Sequence, residues 1–196
     1  QWTKLKTLEL TEVDFRGSLP DIFGDIDSLE TVYFRNMEVT ETMQERLYKA
    51  PNLKELNISY CQISPIPDAI GNLTNLNSLI ITTEQNTINN PITLPSTISN
   101  LTNLKSIFVS TNTNRFPMAL CGLKNTIESI SVKDNIGTIP VEIGDFMVLK
   151  TLKIIACELE YYAVEVPPDM GETPNYLRCD NGSRFNFSLS ANVLFS

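Results

Sequence analysis

The sequence predicts an α/β fold of repeat type: a solenoid with a parallel β-sheet on its concave side and short helical, 3₁₀ or loop segments on its convex side. Three observations carry this. An apolar pattern of the form L-x-x-L-x-L, with Ile, Val or Phe admitted, returns at near-regular intervals along most of the 196 residues. A second pattern, an apolar residue followed by proline and then apolar positions about three apart, recurs between these returns. The end of the first pattern alternates apolar and polar, which is the period of a half-buried strand.

The strand pattern starts at Leu5, Leu29, Leu53, Leu76, Leu104, Ile127 and Leu149, with successive starts 24, 24, 23, 28, 23 and 22 residues apart; Leu177, 28 further on, is a candidate eighth. In the first unit Leu8 and Leu10 point inward while Glu9 and Thr11 point out. A strand this short cannot bury its own apolar edge, so each unit must stack on the next. Strands entering once per unit in one direction form a parallel sheet. The turn half reads Leu19, Pro20, Ile22 and Ile26 in the first unit and Ile66, Pro67, Ile70 and Leu73 in the third. Leu94, Pro95, Ile98 and Leu101, then Phe116, Pro117, Leu120 and Leu123, then Ile139, Pro140, Ile143 and Phe146 follow, with Val166, Pro167 and Met170 as a weaker copy. Proline ends strand pairing, and the spacing after it suits a short helical or 3₁₀ turn.

Two units depart from this plan. The second replaces the proline turn with Thr42–Ala50, in which Thr42 and Glu45 have capping-box spacing and Met43, Leu47 and Ala50 lie three to four apart, so an α-helix is expected. The fourth carries about four extra residues within Thr83–Ile92, expected as a loop after its strand. Trp2 stands three residues before Leu5, as Leu73, Leu101 and Phe146 stand before their starts, so the chain is expected to begin inside a repeat and the natural protein to extend upstream. The expected division is a solenoid over 1–176 and a segment 177–196 that is a C-terminal cap, a last partial repeat or the start of another module, with strand-like alternation from Arg184 to Ser190.

These strings resemble the leucine-rich repeat family over roughly residues 2–176, and Gly17-Ser18-Leu19-Pro20 and Gly137-Thr138-Ile139-Pro140 resemble the G-x-[IL]-P signature of its plant-type, receptor-like members. The resemblance implies the solenoid fold and a non-catalytic recognition role on the concave face, without naming a ligand. It also implies that the slot five residues after the second Leu of each unit is a buried ladder position where Asn or Cys is common. That slot holds Val13, Met37, Cys61, Glu84, Asn112, Asn135 and Cys157. Cys61 and Cys157 are therefore expected as buried structural thiols, four units apart and far beyond disulfide reach. Cys121 falls in a convex turn and Cys179 in the tail, neither with an evident partner.

Composition excludes several functions. A net charge of −8 disfavours nucleic acid and anionic membrane surfaces as partners. No apolar run approaches the roughly 20 residues of a membrane span, so direct membrane insertion is not expected. The absence of histidine removes His-ligated metals and His-activated nucleophiles. Asp21, Asp25, Asp27 and Glu30 lack calcium-loop spacing and read as a solvated acidic turn. No cofactor, metal site or catalytic constellation is expected.

Two surface features remain. Sequons occur at Asn57, Asn72, Asn100, Asn181 and Asn186. Asn72 and Asn100 share a convex slot and, with Asn181 and Asn186, are the glycosylation candidates; Asn57 lies in an outward strand column and is expected to stay unmodified. The central outward column reads Glu9, Tyr33, Asn57, Ile80, Phe108, Ser131 and Lys153, and the next reads Thr11, Arg35, Ser59, Thr82, Ser110, Lys133 and Ile155, with Tyr60 beyond it. Large apolar groups placed towards solvent mark binding surfaces. The candidate ligand contacts are Tyr33, Arg35, Ser59, Tyr60, Ile80, Thr82, Phe108 and Ser110. The expected role is an extracellular or cell-surface module that binds a protein, peptide or glycan. The alternatives are a cytoplasmic scaffold of the same fold and a substrate-recruiting appendage of an enzyme whose catalytic domain lies elsewhere.

Overall fold

A computed structural model describes residues 4–14, 26–63, 65–83, 91–110, 112–113, 115–134 and 139–155, together with four two-residue strands in the tail. The main elements are β1 (Thr7–Thr11), β2 (Thr31–Arg35), β3 (Glu38–Val39), α1 (Glu41–Leu47), β4 (Glu55–Ile63), β5 (Ser78–Thr83), β6 (Ser106–Val109), β7 (Ser129–Lys133) and β8 (Thr151–Ile155). They form one parallel sheet in the order β1-β2-β4-β5-β6-β7-β8, with β3 added beside β4.

The register is the one the apolar pattern requires. Leu8, Val32, Leu56, Leu79, Ile107, Ile130 and Leu152 face one another in a single row across the sheet. The starting residues Leu29, Leu53, Leu76, Leu104 and Ile127 are fully buried, while Leu5, Leu8, Leu10 and Leu149, towards the two ends of the ladder, are partly buried. Each strand start is locked by a fork. The carbonyl of Lys6 accepts the N–H groups of both Glu30 and Thr31, at 2.8 and 3.0 Å, and the same double acceptance recurs at Glu30, Lys54, Asn77, Lys105 and Glu128. A second ladder, of asparagine amides, runs beside it. Asn52 donates to the carbonyl of Asp27, Asn75 to that of Pro51 and Asn103 to that of Thr74, at 2.7 to 2.8 Å.

The proline turns close the other side of the core. Asp68–Asn72, Ser96–Asn100, Met118–Leu123 and Val141–Asp145 are 3₁₀ segments, each entered from a proline whose φ lies between −74° and −68°. The proline carbonyl accepts the N–H three residues on, as in Ile70 to Pro67 at 3.1 Å. The second unit holds the expected α-helix, with Met43, Leu47 and Ala50 buried. Its cap differs from the sequence expectation. Thr40 accepts the Met43 N–H at 3.3 Å with its hydroxyl, while Thr42 lies inside the first turn. The pairing of β3 holds the chain extended to Val39, so the first residue free to cap is Thr40.

In the tail, β9 (Glu172–Thr173) pairs with β12 (Leu189–Ser190), and β10 (Leu177–Arg178) with β11 (Arg184–Phe185), both antiparallel. Leu177, the candidate eighth start, thus lies in an antiparallel pair and not on the parallel ladder. Trp2, the loop expected within Thr83–Ile92 and most of the tail lie outside the described residues.

The fork places the residue after each starting Leu in one column at the sheet's edge: Lys6, Glu30, Lys54, Asn77, Lys105, Glu128 and Lys150. Glu30 is bridged by Lys6 at 2.8 Å and Lys54 at 2.7 Å; Glu128 is bridged by Lys150 at 2.6 Å and Lys105 at 3.9 Å. Asp27 is exposed, but Glu30 is thus part of a charge ladder and not simply of a solvated acidic turn; Asp21 and Asp25 lie outside the described residues.

Two predictions follow from this packing. A Cβ on Gly71 would lie 2.7 Å from the Thr97 carbonyl oxygen and 2.9 Å from Thr97 Cβ in the next 3₁₀ segment, whereas one on Gly144 meets nothing within 4 Å among the described residues. Overpacking of this kind costs about 1–3 kcal/mol. Gly71→Ala should lower the denaturant midpoint accordingly and Gly144→Ala should leave it in place; equal midpoints would mean that the turn stack is looser than its geometry. Secondly, hydrogen bonds from Lys54 and Lys6, with their positive charge, hold the Glu30 carboxyl down at about 2. Because the folded value lies below the unfolded one, the ladder's stabilisation is complete above the ordinary glutamate range near pH 4.5 and is lost as pH falls towards 2. Carboxyl NMR titration should show Glu30 with a midpoint well below the ordinary glutamate value, moving back upwards in high salt.

Candidate functional site

The outward face of the sheet is built from three columns that the register brings side by side. The first is Thr7, Thr31, Glu55, Ser78, Ser106, Ser129 and Thr151, a nearly continuous row of hydroxyls in which Ser106 donates to Ser78 at 3.2 Å. The sequence reading passed over it. Reading one outward position earlier in each L-x-x-L string would have found it.

The central column is Glu9, Tyr33, Asn57, Ile80, Phe108, Ser131 and Lys153. Tyr33, Ile80 and Phe108 are half-buried: their flanks pack on cross-strand neighbours and their outer surfaces remain open. The Tyr33 hydroxyl donates to Glu55 Oε2 at 3.1 Å, which fixes the ring against the first column and raises its pKa above the ordinary tyrosine value. Ser59 donates its hydroxyl to Asn57 Oδ1, so the sequon asparagine of this column is already engaged.

The third column divides. Arg35 is exposed and Ser59 half-buried, whereas Thr82 and Ser110 are only 7% and 5% exposed. Thr82 also accepts the Tyr60 N–H at 3.0 Å with its hydroxyl. Of the eight candidate contacts, Thr82 and Ser110 are therefore withdrawn into the structure, and Tyr33, Arg35, Ser59, Tyr60, Ile80 and Phe108 form the reachable set.

Tyr60 is held out by backbone geometry. The pairing of β4 with β5 slips by one residue between Ile58 and Cys61, because Cys61 faces Thr83 while Ile58 faces Ile81. The extra residue makes a bulge, a feature that re-aims side chains. Tyr60 adopts φ 56°, in the left-handed region, as do Glu12 and Asn36 at the same place in the units before it. A tyrosine there is costly, on the order of 1 kcal/mol or more. Tyr60 is 44% exposed, and its ring lies under the Arg35 guanidinium, 5.7 Å from ring centroid to Cζ.

Charge changes sign along the face, from Glu9, Glu12 and Glu55 in the early units to Lys133 and Lys153 in the late ones. The buried carboxylate Asp134 serves the fold: it accepts the Thr113 N–H at 2.8 Å and so ties two units together. Among the described residues no three His, Cys, Asp or Glu side chains cluster as metal ligands, and no helix is long and apolar enough to cross a membrane.

The remaining candidates fall elsewhere. Asn72 and Asn100 are exposed at the ends of successive 3₁₀ segments, on the side opposite the sheet face. Cys61 is a fully buried thiol that donates to the Ser59 carbonyl, 3.4 Å from its Sγ, and Cys121 is half-buried. Asn112, in the ladder slot shared with Cys61, donates its amide to the Thr83 hydroxyl at 3.0 Å. Cys157, Cys179, Asn135, Asn181 and Asn186 lie outside the described residues.

Residues 52–73 match the Leucine Rich Repeat family profile. No curated protein sequence matches the chain. Among solved structures, the chain is similar to a leucine-rich repeat protein of Leptospira interrogans, at 22% identity and TM-score 0.49 over 78% of this chain and 45% of that one. It is similar to the Arabidopsis receptor kinase HAESA, solved with the peptide hormone IDA and the co-receptor SERK1, at 18% identity and TM-score 0.48 over 79% of this chain and 30% of that one. It is also similar to the plant peptide hormone receptor RGFR1, solved with RGF2, at 19% identity and TM-score 0.40 over 78% and 28%. The chain spans less than half the length of each of these proteins. One unit matches the Leucine Rich Repeat profile, and the same strand pattern is carried in register through β1, β2, β4, β5, β6, β7 and β8, so the chain has the fold of a leucine-rich repeat solenoid.

Proposed function

We propose that the chain is a non-catalytic recognition module that binds a protein segment or peptide across its sheet face, through Tyr33, Arg35, Ser59, Tyr60, Ile80 and Phe108. The observation that carries this reading is the contiguous run of large side chains in units two to five, centred on a tyrosine held outward at a backbone position that disfavours it. Stability alone does not favour that arrangement, and strain of this kind concentrates at functional sites. Six strand spacings of about 4.8 Å give a face roughly 29 Å long, enough for an extended peptide or a partner helix. The aliphatic Ile80 favours a peptide over a glycan as the central contact. The sign change in charge along the face orients a partner more than it holds one.

The setting we infer is the cell surface or extracellular space. Its support is the exposed pair of sequons at Asn72 and Asn100, which lie on the turn side and leave the sheet face clear. A cytoplasmic scaffold of the same fold is the rival, and a recruiting appendage of an enzyme is compatible with the same face.

Two outcomes test these readings. Protein secreted from a eukaryotic host should lose mass on glycosidase treatment, with modified peptides at Asn72 and Asn100 and none at Asn57; an unchanged mass favours the cytoplasmic rival. Against a peptide selected for binding to the unaltered chain, Tyr33→Ala and Phe108→Ala should each cost on the order of 2 kcal/mol of affinity with the melting temperature nearly unchanged. Loss of stability with affinity retained would show that these rings serve packing alone.

A further inference from the structure

The edge column of lysines and glutamates is regular except at one place. Read along the stack it runs Lys6, Glu30, Lys54, Asn77, Lys105, Glu128 and Lys150, so each carboxylate sits between two lysines, and Asn77 occupies the place where alternation calls for a third. The backbone forks hold this column at the strand spacing, which sets Lys54 and Lys105 about 10 Å apart on either side of Asn77. Among the described residues, each of these lysines meets a carboxylate on its far side only: Lys54 reaches Glu30 at 2.7 Å, and Lys105 reaches Glu128 at 3.9 Å and the Thr126 carbonyl at 3.4 Å. An ammonium has three donors, so both keep capacity towards Asn77. The two side chains are 51% and 54% exposed, and Asn77 is exposed between them. Glu55, paired with Ser78 in the first column, is engaged on the unit-two side by the Tyr33 hydroxyl.

The gap coincides with the apolar centre of the sheet face. Asn77 and Ile80 belong to the same unit, three residues apart along an extended chain, about 10 Å. Ile80 faces Phe108 in the next unit, and the Ser78 and Ser106 hydroxyls lie between the gap and these apolar groups. We propose that the Asn77 position is a carboxylate-binding notch: an acidic side chain of the bound peptide enters between Lys54 and Lys105 while an apolar side chain of the same peptide rests on Ile80 and Phe108. This rests on the sheet-face reading and adds the ligand's chemistry, an Asp or Glu placed about 10 Å from a bulky apolar group. Each three-residue cluster of the ladder carries one net positive charge, so the notch is a local positive site on a chain whose net charge is −8. A buried ion pair is not required, because the peptide's carboxylate completes an existing exposed ladder.

Two measurements test it. Asn77→Asp supplies the missing carboxylate and should raise the melting temperature by about 1–3 °C in low salt, with the gain abolished by 1 M salt or by Lys54→Gln with Lys105→Gln. No gain, or a gain that survives loss of both lysines, overturns the notch. In the second, a random dodecapeptide phage library is panned on the unaltered chain, and the selected peptides are titrated against variants. Peptides that carry Asp or Glu, and that lose tenfold or more in affinity to the double lysine variant, to Asn77→Asp and to Phe108→Ala, support the proposal. Peptides that need Phe108 but bind the double lysine variant within twofold overturn the notch and leave the sheet-face reading standing. Peptides indifferent to Ile80→Ala and Phe108→Ala as well overturn both.

Discussion

The fork at each strand start is the constraint on which the rest of the structure depends. One carbonyl per unit accepts two N–H groups of the next, and six successive forks tie the units from Lys6 to Thr151. Each bond contributes only about 1 kcal/mol net, but their geometric effect is larger. Once two consecutive N–H groups share an acceptor, the next strand can start at only one place. The apolar row, the three outward columns and the charged edge column all inherit their alignment from that placement. A slip of one residue would turn every inward side chain outward, so burial of Leu8 to Leu152 as a row and the forks enforce the same register.

Units of unequal length are accommodated because the two sides of the solenoid obey different rules. Along β1 to β8 the strand side changes register once, between Ile58 and Cys61, so other differences of length move to the arcs. The second unit takes up its arc with an α-helix, and the later ones use 3₁₀ segments entered from proline. Close approach between segments is met by removing side chains, as at Gly71 against Thr97 and at Gly122, where a Cβ would lie 2.6 Å from that of Ser99. Where the third and fourth units differ by a residue on the strand side itself, the sheet answers with the bulge at Tyr60.

The binding face arises from these accommodations as much as from the repeat. A perfectly regular stack would present three smooth columns with little to distinguish one unit from another. Here the bulge pushes out an aromatic ring under Arg35, Glu55 anchors Tyr33, and an interrupted charge ladder lies at the edge beside Ile80 and Phe108. Irregularity in units two to five makes that stretch of the sheet chemically particular, while the forks on either side keep it in register.

The sequence by itself determined the fold class, the seven strand starts, the placing of proline turns and the helix in the second unit, because apolar period and proline position act locally and recur. It also placed Tyr33, Arg35, Ile80 and Phe108 on the outward face, since alternation along a strand is a local property. Other features waited for the tertiary structure, each because it depends on what stands in the neighbouring unit. Thr82 and Ser110 alternate outward like their neighbours, yet packing withdraws them from solvent. Thr42 has capping spacing, but the pairing of β3 sets the cap at Thr40. Lys6, Glu30, Lys54, Lys105, Glu128 and Lys150 are more than 20 residues from their partners along the chain, and only the stacking of units at strand spacing turns them into a ladder. Asn52, Asn75 and Asn103 form a ladder only because the preceding unit offers each a carbonyl. Contacts within one unit are written in the local pattern of residues; contacts between units follow from the register, which exists only when the units are stacked.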